Sequence, residues 1–206
     1  FIIDKCRFLA EKGILHLKLY SIVGLPNETD DDIDQFIKVI GDVQKGYLEA
    51  SRKLGRIGKL TIGLSPFVPK PGTPFQWHPM EKVSVLKKRF MKVRKSLSKL
   101  PNVKLSFGSP NEAYLQTYLS KGGRDLIDFF KEYLSSEHDE KKALNNCIPK
   151  PEDIVYRQYQ QNDFLPWDII DHGYRDNFLW NDYQRGLKET QTPPCDTATC
   201  HICGIC

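Results

Sequence analysis

Apolar positions follow two different rhythms over the first 110 residues. FIIDKCRFLAEKG reads as the end of an amphipathic helix, closed by Gly13 at the position where a left-handed residue is wanted. Residues 14–25, ILHLKLYSIVGL, alternate in their first half and run apolar in their second, which predicts a buried strand stopping at Gly24-Leu25-Pro26. Thr29 predicts a helix N-cap, because Asp30, Asp31 and Asp32 put negative charge in the first turn, and Ile33, Phe36, Ile37, Ile40 and Val43 supply that helix's buried face. Gly55 and Gly58 punctuate the return, and LTIGLSPF at 60–67 predicts a second strand. After the proline-rich VPKPGTPFQW, the residues Val83, Leu86, Phe90, Val93, Leu97 and Leu100 recur at steps of three and four and predict a helix. VKLSFG at 103–108 predicts a third strand, and Ser109-Pro110-Asn111-Glu112 the start of another helix.

This alternation makes the fold class α/β, with parallel strands joined by crossovers. A barrel and an open doubly wound sheet both fit the pattern, and in both the loops at 24–29, 64–75 and 108–112 share the rim where strands end. Beyond residue 113 the periodicity is helical, through AYLQTYL and DLIDFFKEYL, with a break at Lys121-Gly122-Gly123-Arg124 and a charged loop or frayed helix end at 135–142. Trp167, Phe178, Trp180 and Tyr183 in the aromatic-rich segments are expected to be docking anchors against the first domain. The expected domains are 1–112, a mainly helical and aromatic extension at 113–190, and a cysteine-rich tail at 191–206.

A length of 206 residues with 40% hydrophobic content supports one good core or two small ones. The apolar runs are short, so no membrane span is expected, and the opening residues lack the features of a signal peptide. A net charge of +4 does not by itself imply nucleic acid. Its distribution is uneven: Lys82, Lys87, Lys88, Arg89, Lys92, Arg94, Lys95 and Lys99 face only Glu81 in residues 81–100, giving either a solvated helix face or a surface for RNA or an acidic partner.

Four of the six cysteines, Cys195, Cys200, Cys203 and Cys206, form C-x4-C-x2-C-x2-C at the end of the chain. Near neighbours cannot form relaxed disulfides, and crowded thiolates are relieved by a soft cation. Zinc and an iron-sulfur cluster compete, and the compact spacing favours the cluster. His201 lies between the cysteines as a substitute ligand. Thiols in metal-ligand spacing fit a reducing cytoplasm, and Cys6 and Cys147 read as ordinary reduced residues. His78 and His172, lone histidines in turns, are expected in solvent.

Gly24-Leu25-Pro26-Asn27-Glu28-Thr29 joins a strand end to a helix N-terminus, an environment that favours carboxylate or phosphate. Pro26 removes a donor and no P-loop lysine follows, which argues against a nucleoside triphosphate. SPFVPKPGTPF is stiffened by proline and leaves carbonyls toward the rim, where a flat polar heterocycle would fit.

Taken together, SIVGLPNETDDDI and LSPFVPKPGTPF resemble the second half of a radical S-adenosylmethionine barrel. With SPNEAYLQTYLSKGGR, FLPWDIIDHGYRDNFLWNDYQRGL and the terminal cysteines, the chain is similar to the C-terminal part of radical SAM proteins that carry a cobalamin-binding-like domain upstream. The resemblance implies the C-terminal half of a partial (β/α)6 barrel, S-adenosylmethionine at the strand ends, and a 4Fe-4S cluster held by the N-terminal part of the same polypeptide. It implies that Ile22, Gly24 and Glu28, with Ser65, Pro66 and Val68, contact the cofactor. The family's C-x3-C-x2-C run is absent, so the terminal cysteines would form an auxiliary site and the chain alone would be inactive, its substrate unspecified. The alternative function is a non-catalytic four-cysteine metal module whose basic helix holds RNA or a protein partner.

Overall fold

The computed structural model describes residues 1–205, which divide into two compact units: 1–67 with 82–112, and 68–81 with 113–205. The first unit runs α1 (Ile2–Glu11), β1 (His16–Val23), α2 (Asp30–Lys53), β2 (Lys59–Pro66), α3 (Val83–Leu97) and β3 (Val103–Phe107). Gly13 ends the first helix with φ +84°, its N–H donating to the Ala10 carbonyl at 2.9 Å, a left-handed conformation that glycine adopts without a Cβ penalty.

The strands are all parallel in the order β1-β2-β3, and the register places Leu19 beside Ile62 and Ile62 beside Leu105. Alternation in a strand sends this row to one face, where Leu60, Ile62 and Leu64 are at most 1% exposed. The helices supply the rest of that core: Ile33, Ile40, Val43 and Tyr47 of α2, and Leu86, Phe90, Val93 and Leu97 of α3, are buried. Tyr47 donates its hydroxyl to the Ile14 carbonyl at 2.8 Å, and Ser51 Oγ accepts the Gly58 N–H at 3.0 Å, which fixes the turn before β2.

The opposite face is uncovered. His16, Lys18, Tyr20 and Ile22 of β1, Ser65 of β2, and Lys104 and Ser106 of β3 are all exposed.

The expected half of a (β/α)6 barrel is therefore corrected to a short open sheet. Helix makes up 47% of the described residues and strand 10%, and the three strands neither curl nor close, leaving β1 and β3 each with an outer edge free of any strand among those residues. With the barrel goes the structural basis for recognition as a radical SAM protein.

The second unit contains a 3₁₀ turn (Pro74–Trp77), most of α4 (Pro110–Lys121), then α5 (Leu126–Ser135), α6 (Glu140–Asn146), α7 (Pro151–Val155) and α8 (Phe178–Leu187). Its core joins Trp77, Tyr159, Leu165, Trp167 and Tyr183, with Phe75 and Trp180 partly buried against them. Trp167 and Tyr183, expected as docking anchors, thus find partners within this unit, on the aromatic residues of the proline-rich loop. Gln76 Oε1 ties Trp167 to this loop, accepting the Trp167 indole N–H at 2.6 Å and the Gly72 N–H at 2.9 Å. No helix among the described residues is long and apolar enough to cross a membrane.

Candidate functional site

Parallel strands bring their carboxyl ends to one rim, the usual ligand side of an open α/β sheet. At that rim β1 turns away through Gly24, φ +92°, into a loop held by its own carboxylate. Glu28 Oε1 accepts the Gly24 N–H at 3.0 Å and Arg89 Nη1 at 2.8 Å, and Arg89 Nη2 donates to the Glu28 carbonyl at 2.8 Å. Thr29 and Asp32 then cap α2 reciprocally: Thr29 Oγ1 accepts the Asp32 N–H at 3.3 Å while Asp32 Oδ2 accepts the Thr29 N–H at 2.7 Å.

The electrostatics follow from these partners. Burial pushes the Glu28 carboxyl upward, with the Gly24 N–H and Arg89 pulling the other way. Lys88 and Arg89 hold Asp30 below the ordinary carboxylate range, and Thr29 does the same for Asp32.

Ile22 and Ser65 are register neighbours on the open face, both exposed. One row back, Tyr20, Gly63 and Ser106 lie side by side. A Cβ on Gly63 would meet Tyr20 Cδ1 at 3.3 Å, so the ring leans on the bare glycine and still leaves Tyr20 73% exposed. Pro66 ends β2 half-buried, and a Cβ on Gly108 would stand 3.0 Å from its Cδ. The structure thus brings Ile22, Gly24, Glu28, Ser65 and Pro66 to one rim, with the Glu28 carboxylate turned into the loop. Val68 belongs to the second unit.

Behind the rim, Lys18 and Lys104 flank Thr61 in one cross-strand row, roughly 10 Å apart at two strand spacings. Lys18 Nζ stands 4.7 Å from the Tyr20 ring centroid. Sequence reasoning passed over Tyr20, Lys18 and Lys104, although alternation from His16 through Ile22 already puts Lys18 and Tyr20 on one face.

The basic helix is engaged inside its own unit. Lys92 reaches Asp34 at 2.7 Å, Lys88 reaches Asp30 at 3.2 Å, and Arg89 reaches Asp30 at 3.3 Å besides its bonds to Glu28. The RNA surface expected at 81–100 is corrected accordingly: acids at the start of α2 already neutralise its central bases.

The tail is corrected as well. Among the described residues no three side chains of His, Cys, Asp and Glu form a group able to hold a metal ion. Cys195 is exposed, Cys200 and Cys203 partly so, and Cys206 lies outside the described residues. Asp196 organises the turn instead, its carbonyl accepting the Cys200 N–H at 2.7 Å and its carboxylate accepting the Ala198 N–H at 3.0 Å and the Thr199 hydroxyl at 2.8 Å. Neither the 4Fe-4S nor the zinc expectation for Cys195, Cys200, Cys203 and Cys206 finds a convergent donor set among the described residues, and the functional readings built on that centre, radical SAM enzyme and metal module, fall with it. The S-adenosylmethionine, upstream cobalamin domain and N-terminal partner expectations lose their footing with the barrel.

Of the histidines, His172 is exposed, while His78 is half-buried with Nδ1 3.0 Å from the Tyr183 hydroxyl, a departure from its expected solvent position. Burial, then the nearby Lys121, lowers its pKa to about 4. Lys121, read from sequence only as part of a helix break, is 1% exposed and donates to the His78 carbonyl at 2.8 Å.

No family model matches the chain, and no solved structure does. Over 122 residues it is 32% identical to the uncharacterized protein MJ0966 of Methanocaldococcus jannaschii, a stretch that takes in 59% of this chain and spans 24% of that protein's length.

Proposed function

We propose that the first unit is a small-molecule-binding module whose ligand lies across the uncovered face of the sheet, at the carboxyl ends of its strands. The observation that carries this reading is the set of short exposed residues Ser65, Ser106 and Gly108 at the strand ends, beside the exposed Ile22 and the Tyr20 ring that lies over Gly63. A planar ring fits over these short residues and stacks on Tyr20. Lys18 and Lys104, one row behind, meet an acidic substituent on the same molecule. Ile22, Ser65 and Pro66 contact the ligand in this reading, and Glu28 acts as a positioning residue that shapes the Gly24 loop. The thiols of Cys6, Cys147, Cys200 and Cys203, which join no disulfide among the described residues, support a cytoplasmic setting.

Titration of the full chain with adenosine 5′-monophosphate, a probe that joins a planar ring to a phosphate, tests the reading by NMR. Amide shifts should concentrate on Tyr20, Gly63, Ser65 and Ser106, and the Lys18→Gln, Lys104→Gln double variant should bind about tenfold more weakly. Shifts confined to other residues, or unchanged affinity in the double variant, would refute it.

A further inference from the structure

Side chains around the break between α4 and α5, all within the second unit, line a cavity of about 830 Å³, inside the roughly 300–1,000 Å³ range of small-molecule sites. Its lining includes Lys121, Arg124 and Arg157 with the acids Asp125 and Asp153, and Arg157 pairs with Asp163 at 3.6 Å. Lys121 is the anomaly. Its ammonium donates to the carbonyls of His78 at 2.8 Å and Arg157 at 3.4 Å and stands 4.7 Å from the Tyr159 ring centroid. Those partners satisfy its hydrogens and leave its charge uncompensated, because a buried cation ordinarily takes a carboxylate counterion. The Arg157 guanidinium, 4.6 Å from the same ring centroid, adds like charge, and burial together with Arg157 brings the Lys121 pKa down to about 7.

The cavity mouth is unusual in a second way. Phe164 and Ile169 are 74% and 81% exposed, large apolar side chains standing in water beside the charged lining. We infer that this cavity binds an organic anion, its apolar body resting on Ile154, Phe164 and Ile169 and its carboxylate or phosphate acting as the counterion for Lys121 and Arg124, beside the Arg157 guanidinium that Asp163 already pairs. The site is separate from the sheet face of the first unit and draws on none of its residues.

The test is calorimetric titration of the full chain with 1-naphthyl phosphate, 1-naphthol and inorganic phosphate. The phosphate ester should bind at least tenfold more tightly than either part alone. The Arg124→Gln, Arg157→Gln double variant should lose at least tenfold in affinity for the ester, with an unchanged circular dichroism spectrum. Ile169→Asp, placed at an exposed position where folding is not at stake, should weaken the ester by a similar factor and provides the readout if the arginine variant fails to fold. These titrations are run in the Lys18→Gln, Lys104→Gln background, which removes the first unit's own site for a ring-bearing phosphate and leaves the cavity as the site measured. Equal affinity for 1-naphthol, or unchanged affinity in Ile169→Asp, would overturn the assignment, as would the absence of ester binding in that background.

Discussion

Arg89 and Glu28, 61 residues apart in the chain, meet at 2.8 Å with only 7% and 10% of their side chains exposed. The pair joins the third helix to the loop that leaves the first strand, so the rim is held by a contact between distant segments. Removing one partner strands the other's charge in a buried setting, a loss of about 3–5 kcal/mol. Arg89→Met should therefore lower stability by that order in urea denaturation. Glu28→Gln, which keeps an acceptor for the Gly24 N–H, should cost less, and the double variant should cost less than the sum of the two.

Lys121 makes stability depend on pH on the alkaline side. Its folded pKa of about 7 lies below the ordinary 10.5, so between these values the unfolded chain holds more protons and stability rises with pH. The expected gain is about 1 kcal/mol per pH unit, measured by denaturant melts between pH 7.5 and 9.5. Burial pushes the Tyr114 and Tyr118 hydroxyls upward, which opposes the trend only at higher pH, where unfolded tyrosines ionise. Lys121→Met should flatten the slope.

His78 acts on the acid side. Its pKa falls from 6.5 to about 4 on folding, so the unfolded chain takes up a proton first as pH drops through that window, and stability is lost there. Asp30, Asp32 and Asp196 are held below the ordinary carboxylate value of 3.8, so the losses they cause begin at lower pH. His78→Gln should remove the slope between pH 6.5 and 4 while leaving the lower transition in place, as followed by melting temperature.

Gly58 precedes the second strand, and a Cβ there would collide with the ring of Tyr47, which is 0% exposed. Gly58→Ala should destabilise by about 1–3 kcal/mol through forced repacking of that ring. Gly41→Ala, in the same unit with open space around its Cβ, should be neutral or slightly stabilising, since alanine favours helix.

Local periodicity made the elements legible. The three strands, the Thr29 cap and the Gly13 stop all depend on residues within a few positions of each other, and the open sheet was one of two architectures the pattern allowed. The choice between them rests on how many strands pair, which no local motif records, and a resemblance carried by two rim loops pointed to the barrel. Arg89 was hidden for a related reason: among six bases on one helix, only the fold shows which one meets Glu28. Lys121 sat beside Gly122 and Gly123 in a segment that reads as a break, so its burial had no sequence signal. In the tail, spacing permits the thiols to converge, but Asp196 competes for the backbone of the same turn and sets its course.

The two outer margins of the parallel sheet have a bearing on how the chain behaves in concentrated solution. Bare strand margins are templates on which another molecule's backbone can add, and like-charged side chains are a common guard against such stacking. Lys18 on the first strand and Lys104 on the third stand at these margins, so the guard is electrostatic. Raising ionic strength, which shortens the reach of that repulsion, should drive reversible self-association.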